Sequence, residues 1–353
     1  MLRTAFASSI TLAILMQSGC DVQTETIRHT ATGVTAPIEK VVVSVDVGDI
    51  KIRPRDDSSV GFTGEARWAS QRPSVEFRAD GTTLYVDSDC LDADPACRVD
   101  VELTIPRGAA LEVRGGETAI DAAELRGAAT LRNEVGDIRV QDLSGASLDL
   151  STDDGEIQGS GLNNAVVVAV IGEGDTRLEF AGGAENVSVK TDVGDVDLVV
   201  PPTTYVVDAR TAAGSIDVGV KQASSAKRKI TAETRRGDIS IQPQAILLGE
   251  PIELRFGEAI KFADEPVTLK FTEVVEDSRC PIGVVCVWAG RCIVGLTLAE
   301  TGGDSHEFDL TVGTSVDALG YRVRLLDARP LPSVRVPRPE DERYILTLSV
   351  ERN

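Results

Sequence analysis

Carboxylates repeated at a regular interval are the first set of side chains in this sequence that could do chemistry. Four of them each follow a glycine and stand 19 or 20 residues apart: Asp137, Glu156, Asp175 and Asp195. If equivalent positions stack, the carboxylates lie about 4.8 Å apart, a distance at which like charges repel. Calcium would relieve that repulsion, because it binds several oxygen ligands. Ser215 interrupts the column, however, and the interval differs from that of the nonapeptide calcium repeat, so a solvated corner without a metal is the favoured interpretation.

Cysteines are the second reactive set, and the first of them closes an N-terminal processing segment. MLRTAFASSITLAILMQSGC carries Arg3 ahead of an apolar stretch of 12 residues, too short to span a bilayer, and small residues directly before Cys20. It resembles a bacterial lipobox, apart from Gln17 where leucine is usual. We therefore predict that 1–20 is a lipoprotein signal peptide and that lipid on Cys20 holds the chain at a membrane. Residues 21–37, polar and without a period, are expected to form a tether.

The other five cysteines indicate disulfide bonds rather than a metal site. Cys90 and Cys97 bracket a turn between two strand patterns, where an exported chain would form a bridge. Cys280, Cys286 and Cys292 follow with gaps of five residues, longer than the roughly two to four typical of zinc loops. We favour a Cys280–Cys286 bridge, which leaves Cys292 as a free thiol. A Cys286–Cys292 bond, or a bond from Cys292 to another chain, stays open.

Composition argues against several classes of function. At a net charge of -20 the chain is unsuited to nucleic acid, whose phosphates attract lysine and arginine. The chain has only two histidines, which argues against histidine-based catalysis and against a histidine-rich metal site. We therefore predict no cofactor and expect the protein not to be an enzyme.

A period near 20 residues organises the middle of the chain. Its marker is the glycine of words such as NEVGDIRV and TDVGDVDL, which recurs at Gly116, Gly136, Gly155, Gly174, Gly194, Gly214 and Gly237. Apolar and polar residues alternate between these glycines, which predicts short strands with one face inward. Each unit must stack on the next to bury that face, and the glycine permits the bend between its strands. The sequence therefore predicts a single-stranded, right-handed β-solenoid of ~20-residue repeats.

The same words carry a family resemblance. The run LEVRGGETAI…LRNEVGDIRVQDLSG…VKTDVGDVDLVVP resembles the DUF4097 family of bacterial β-strand-repeat proteins, which carry the label adhesin. The resemblance covers about 38–243 and implies a β-solenoid fold without catalytic residues. Its irregular first part, 38–106, is expected to cover the open end of the stack.

A second domain is predicted where the period stops. Residues 247–353 contain six or seven strand patterns, typical of a β-sandwich or a barrel-like domain. The segment DSRCPIGVVCVWAGRC, 277–292, resembles one that recurs in secreted bacterial domains to which no activity is attached. We expect a loop stapled by its cysteines, with Trp288 at the start of a core strand.

These features predict an all-β, noncatalytic lipoprotein of the bacterial cell envelope. The leading function is an adhesion or scaffold module that binds an envelope protein or a surface glycan through its solenoid. The alternative is a periplasm-facing accessory or sensor protein of envelope stress signalling, and a carbohydrate-active enzyme is a third, disfavoured reading. Both the periplasm and the outer surface remain open as locations.

Overall fold

The computed structural model describes residues 22–31, 37–90, 94–182, 184–263, 265–284, 286–288, 290–333 and 339–353. The predicted signal peptide and the lipidation site Cys20 lie outside the described residues. The chain divides into two compact units, Met1–Gln244 and Ala245–Asn353. In the part that is described, the elements are strands except for one turn of 3-10 helix at Asp341–Arg343, and no helix is long and apolar enough to cross a membrane.

The first unit opens with seven strands, of which only the first lies in the predicted tether 21–37. They are β1 Gln23–Ala31, β2 Lys40–Val47, β3 Ile50–Arg55, β4 Val60–Trp68, β5 Ser74–Asp80, β6 Thr83–Asp89 and β7 Arg98–Pro106. The tether prediction is wrong over β1, which pairs antiparallel with β4 along its whole length. The inward position of β1 holds Glu25, 7% exposed, whose carboxylate lies 2.7 Å from Nε of Arg72. Because a paired charge, and not an apolar side chain, fills this buried position, the sequence of β1 lacks the alternation of apolar and polar residues that would have predicted a strand.

A regular array of rungs follows. Its strands are β8 Ala110–Glu117, β9 Ile120–Ala123, β10 Ala129–Val135, β11 Ile138–Gln141, β12 Ser144–Asp154, β13 Ile157–Glu173, β14 Thr176–Phe180, β15 Asn186–Val193 and β16 Val196–Val200. Each rung places one strand on a first sheet, turns a corner, and places the next strand on a second sheet. Neighbouring rungs pair in parallel, as at Leu131↔Leu150 on the first sheet and Ile138↔Ile157 on the second. The all-β, solenoid-like prediction is therefore confirmed.

The core of this unit lies between the two sheets. Inward positions line up into apolar columns whose members are at most 1% exposed, among them Val113, Leu131, Leu150, Val189, Ile120, Ile138, Ile157 and Val196. Burying one such side chain stabilises the fold by roughly 1.5–3 kcal/mol. Because these columns run from one rung to the next, a rung gains this burial only when its neighbours are in place.

Stacking order departs from chain order at both ends of the array. The last strands are β17 Thr204–Thr211, β18 Ile216–Val218, β19 Lys221–Gln222, β20 Arg228–Arg236 and β21 Ile239–Pro243. At the N-terminal end, β2 and β3 lie between the pair β6/β7 and the pair β8/β9. At the other end, β20 and β21 stack directly on β15 and β16, and β17 and β18 stack outside them. At the N-terminal end, the rung of β2 and β3 is therefore made first but lies second in the stack. At the C-terminal end, the rung of β20 and β21 is made last but lies one place inside the outermost rung.

The second unit is a pair of antiparallel four-stranded sheets. Its strands are β22 Ile252–Arg255, β23 Ala259–Lys261, β24 Val267–Asp277, β25 Cys292–Glu300, β26 Ser305–Thr311, β27 Ser315–Ala318, β28 Tyr321–Arg329 and β29 Ile345–Arg352. One sheet has the order β22-β29-β28-β27 and the other β23-β24-β25-β26. Leu254, Phe271, Leu296 and Leu325 belong to a core separate from that of the first unit. The sheets are open, so the sandwich-like alternative is confirmed over a closed barrel.

Candidate functional site

The repeated carboxylates lie at the corners between the two sheets, where they hold one rung to the next. Backbone N–H groups donate to Oδ1 of the equivalent acid on the preceding rung at these N···O distances: Glu156 to Asp137 3.0 Å, Asp195 to Asp175 2.8 Å, Asp238 to Asp195 2.7 Å and Ser215 to Asp238 2.6 Å. The bond from Ser215 also lowers the pKa of Asp238. Each of these four aspartates supplies the acceptor that a backbone N–H at a turn would otherwise lack, whereas the Glu156 carboxylate accepts from Nε2 of Gln158 on its own rung.

Two details of the predicted repeat were wrong, one in the carboxylate column and one in the series of marker glycines. Ser215 ends the column instead of interrupting it, because β17 and β18 form the outermost rung. Gly116 is not a corner glycine, because the pairs Val135↔Glu117 and Ile138↔Ile120 place Thr118 opposite Gly136. Both errors arose because the prediction from sequence spacing assumed that rungs stack in chain order and that every rung has the same number of residues.

Glycine is required at the corners by contact as well as by conformation. Gly194 has φ +139°, and a Cβ built on it would lie 2.0 Å from the carbonyl oxygen of Gly174 on the rung below. On the inner side of the corner, Oγ1 of Thr234 donates to the carbonyl of Gly194 at 3.1 Å, and Thr152 Oγ1 donates to Gly136 at the same distance. Successive corners are therefore joined by two side-chain hydrogen bonds, one to an aspartate on the outer side and one from a threonine on the inner side.

This bonding bears on the calcium alternative. Among the residues that the structure describes, no group of three or more His, Cys, Asp or Glu side chains is arranged to hold a metal ion. Oδ1 of Asp137 is engaged by the next rung, and Oδ2 lies 2.8 Å from Arg139 Nη2. The corner acids are thus hydrogen-bond acceptors within the stack, and the geometry favours the corner without a metal.

A shallow groove crosses the rungs on the outer face of the second sheet. Its volume is ≈ 330 Å³, and its lining includes Asp121, Arg139, Gln141, Gln158, Ser160, Arg177 and Glu179. Arg139, Gln158 and Arg177 stand in register on successive rungs. Arg177 lies 2.9 Å from Glu179 and 3.4 Å from Asp197, so the groove is locally neutral in a strongly acidic chain. Guanidinium, amide, hydroxyl and carboxylate groups therefore face solvent side by side, as hydrogen-bonding groups for a polar ligand.

The cysteines pair as the favoured interpretation expects. The disulfides Cys90–Cys97 and Cys280–Cys286 are present, which confirms both predictions. Cys292 is free and 0% exposed, and burial raises its thiol pKa to about 11. A buried thiol that stays protonated is a poor nucleophile, so the site is not poised for redox exchange.

The first residues of the DSRCP segment form a buried ion pair that the sequence analysis missed. Nη2 of Arg279 lies 2.8 Å from Oδ2 of Asp277, and the two side chains are 12% and 0% exposed. Tyr344 Oη donates to the same carboxylate at 2.7 Å. Burial opposes ionisation of Asp277, but the hydrogen bonds from Arg279 and Tyr344 outweigh it and lower the pKa. The sequence carried little signal for this pair, because Arg279 lies beyond the end of β24, where the alternation of a strand no longer applies.

Trp288 is not a core residue, and that prediction was wrong. Its side chain is 83% exposed, and the neighbouring Val287 is 92% exposed. Strand β25 begins only at Cys292. Val287 and Trp288 therefore lie in an exposed part of the chain, where their burial does not contribute to the folding of this unit.

Three solved structures are similar to this chain over 62% of its length. A “putative adhesin” from Bacteroides fragilis is 15% identical, with a TM-score of 0.37 and 97% of its own chain covered. A “putative adhesin” from Parabacteroides distasonis is 14% identical, with a TM-score of 0.32 and 97% covered. A “putative cell adhesion protein” from Clostridium sporogenes is 13% identical, with a TM-score of 0.30 and 100% covered. We draw no functional conclusion from these likenesses, and a search among curated proteins gave no match.

The family assignment rests on the rungs themselves. The family model described as Toastrack DUF4097 matches residues 38–242, which is more than half of the chain. The matched range contains the stacked corners and both sheets described above. The protein therefore belongs to the Toastrack DUF4097 family.

Proposed function

We propose that this protein is a noncatalytic component of the bacterial cell envelope whose solenoid is an adhesion or scaffold module. The observation that carries the proposal is the groove on the second sheet, where Arg139, Gln158 and Arg177 repeat in register. Rungs in such a stack lie about 4.8 Å apart, so these three rungs offer long polar side chains at a short, regular spacing. A polymer with its own short repeat, such as a surface polysaccharide, can make many weak equivalent contacts there.

The chemistry of the groove supports binding over catalysis. Its arginines are already paired with carboxylates, and the corner acids accept backbone N–H bonds. A catalytic acid or base needs a free carboxyl group in a cleft with a pKa tuned to its task. The groove instead provides fixed hydrogen-bonding groups on rigid strands, which favours recognition without chemistry.

The first experiment asks which side of the envelope the protein faces. Intact cells are treated with a protease that does not enter them, and a total lysate is treated in parallel. Loss of the protein from intact cells supports an adhesin that faces outward. Survival in intact cells with cleavage after lysis contradicts the adhesin proposal and leaves a periplasmic scaffold.

The second experiment tests the groove. The double variant Arg139→Ala/Arg177→Ala is compared with Arg67→Ala/Arg210→Ala, which removes the same charge from exposed arginines that pair with Glu65 and Asp208 outside the groove. The probes are immobilised alginate, dextran and the purified surface polysaccharide of the producing bacterium. Loss of two charged hydrogen-bond donors should weaken polysaccharide binding by about tenfold or more, with no change in the control. Equal binding by both variants, or no binding by the parent protein, would refute the groove as the binding site.

One observation favours the alternative of a periplasm-facing accessory or sensor protein. The second unit presents Trp288 and Val287 on a stapled loop, a surface suited to contact with another molecule. The buried Cys292 does not support a redox form of this alternative, because its thiol is neither accessible nor ionised near neutral pH.

A further inference from the structure

The loop between β24 and β25 carries an apolar cluster that the solenoid proposal does not use. Five large apolar side chains on this loop and on the segment beside it are exposed: Ile282 62%, Val284 46%, Val287 92%, Trp288 83% and Leu331 47%. We call these five residues the apolar tip. Exposure of 80% or more at Val287 and Trp288 means that the tip projects into solvent and is not the floor of a groove.

The tip is held by a built neck. Ser278 N donates to the carbonyl of Arg291 at 2.9 Å, and Arg291 N donates to Ser278 Oγ at 3.1 Å. The Cys280–Cys286 disulfide crosses the loop just beyond this neck. Ile282 N donates to the carbonyl of Pro332 at 2.9 Å, which joins the loop to the segment that carries Leu331. The base of the loop and Ile282 are therefore held by hydrogen bonds and a disulfide, which reduces the entropy lost on binding.

Within the loop between β24 and β25, charge is confined to the neck. Arg291 pairs with Glu276 at 2.8 Å, and Arg279 pairs with Asp277 at 2.8 Å. All four residues lie outside the segment that the Cys280–Cys286 disulfide encloses. The sequence from Pro281 to Ala289, PIGVVCVWA, contains no charged side chain, and its only side-chain polar donor is the indole N–H of Trp288. The loop is thus apolar at its end and charged at its base, with an aromatic residue that has one polar edge.

This profile fits a lipid surface better than a sugar or a protein groove. A sugar site needs polar groups beside the aromatic ring, and here the neighbours of Trp288 are aliphatic. Tryptophan is favoured at the membrane interface, and aliphatic side chains insert a short distance below it while charges stay in water. The lipid predicted on Cys20 would hold the chain beside a membrane, where a single lipid contact is commonly supported by a second one.

We propose that the apolar tip inserts into the interface of a lipid bilayer with zwitterionic headgroups. At a net charge of -20 the chain gains no attraction from anionic lipid, so burial of the tip carries the binding. The second unit then rests on the membrane through this loop, with the neck pairs Glu276–Arg291 and Asp277–Arg279 at the water side.

The test uses the lipid-free, oxidised chain from Val22 to Asn353, which contains every described element, with phosphatidylcholine vesicles. Trp288 is the reporter, because the other tryptophan, Trp68, is only 8% exposed, and a Trp288→Phe protein gives its background. Vesicles should shift the Trp288 emission to the blue, brominated phosphatidylcholine should quench it, and high salt should change neither. Val287→Asp should lower the partition coefficient by about tenfold or more, since it places a charge in the inserted region.

Val170→Asp is the matched control. Val170 is 44% exposed on the outer face of the first sheet, beside Ser151 and Lys190, and the change adds the same charge away from the tip. Unchanged emission at saturating lipid, or equal partitioning of the two variants, would overturn the proposal. A photo-crosslinker at position 288 that captures protein but not lipid in intact cells would also overturn it, in favour of a protein partner.

Discussion

Replacement of Gly194 by alanine is the sharpest test of how the rungs are held. The residue has φ +139°, and a Cβ there would lie 2.0 Å from the carbonyl oxygen of Gly174 and 3.1 Å from Oδ1 of Asp175. The first of these distances is more than 1 Å shorter than an ordinary contact. The rungs must therefore separate at the corner, where Gly174 N donates to the Val193 carbonyl at 2.9 Å and Asp195 N donates to Asp175 at 2.8 Å.

The cost can be estimated from these contacts. A side chain in this Gly-favoured region costs about 1–3 kcal/mol, and each weakened hydrogen bond adds about 1 kcal/mol. With two weakened bonds the sum is roughly 3–5 kcal/mol, which corresponds to a fall in the melting temperature of the first unit on the order of 10 °C. Thermal unfolding is followed by the fluorescence of Trp68 in a Trp288→Phe background, so that only the first unit is reported.

Gly108→Ala is the control for this prediction. A Cβ at Gly108 meets nothing within 4 Å, and the substitution keeps the same change in composition. We expect it to leave the melting temperature within about 2 °C of the parent or to raise it slightly. If Gly194→Ala shifts the transition no more than Gly108→Ala does, the close contact at the corner does not hold the rungs together.

Three further outcomes are expected. Asp195→Ala leaves the N–H of Asp238 without its acceptor and lowers the melting temperature by about 3–5 °C, whereas Asp195→Asn keeps Oδ1 and stays near the parent; equal losses would mean that charge matters more than the acceptor. Asp94 accepts four backbone N–H bonds, chief among them that of Ser70, which hold its pKa below the ordinary value. Its stabilisation is therefore complete above about pH 4 and is lost as the pH falls, so Asp94→Ala should flatten the acid limb of a plot of melting temperature against pH. Cys292 should react with a maleimide at neutral pH only after the second unit unfolds, and stoichiometric labelling of the folded chain would contradict its burial.

The period of the solenoid could be predicted because the corner tolerates so few residues. A corner glycine such as Gly155 has φ +145° and approaches the carbonyl of Gly136, so glycine marks the turn in the sequence. Inward positions such as Leu150 and Ile157 must be apolar, which adds the alternation of a strand. These two constraints act within one rung, where sequence distance and spatial distance agree.

Stacking order could not be predicted, because the inward residues are interchangeable between rungs. Ile230 on β20 lies against Val187 on one side and Val207 on the other, and Val207 would fit against Val187 equally well by composition alone. The acceptor role of the corner acids was hidden for the same reason. It depends on which rung lies next, as the bond from Ser215 to Asp238 shows.

The burial of two residues, Trp288 and Glu25, was predicted wrongly because their side chains can be stable either buried or exposed. Trp288 between cysteines reads as core, yet the disulfide and the neck hold it outward. Glu25 reads as solvent-facing, yet Arg72 neutralises it at a buried position of β1. Burial of such side chains is decided by their partners, and a single sequence does not reveal partners distant along the chain.

The rung order at the C-terminal end determines when that end can be completed during synthesis. Thr204–Gln222 leaves the ribosome before Arg228–Pro243, but in the described structure β17 and β18 stack only on β20 and β21, apart from the short contact of β17 with β19. The earlier segment therefore has no permanent place to dock until the later one is made and takes its position on β15 and β16. Elsewhere the stack can lengthen by one rung at a time in the order of translation. Its C-terminal end is completed only when β20 and β21 insert between the rung of β15 and β16 and the rung of β17 and β18.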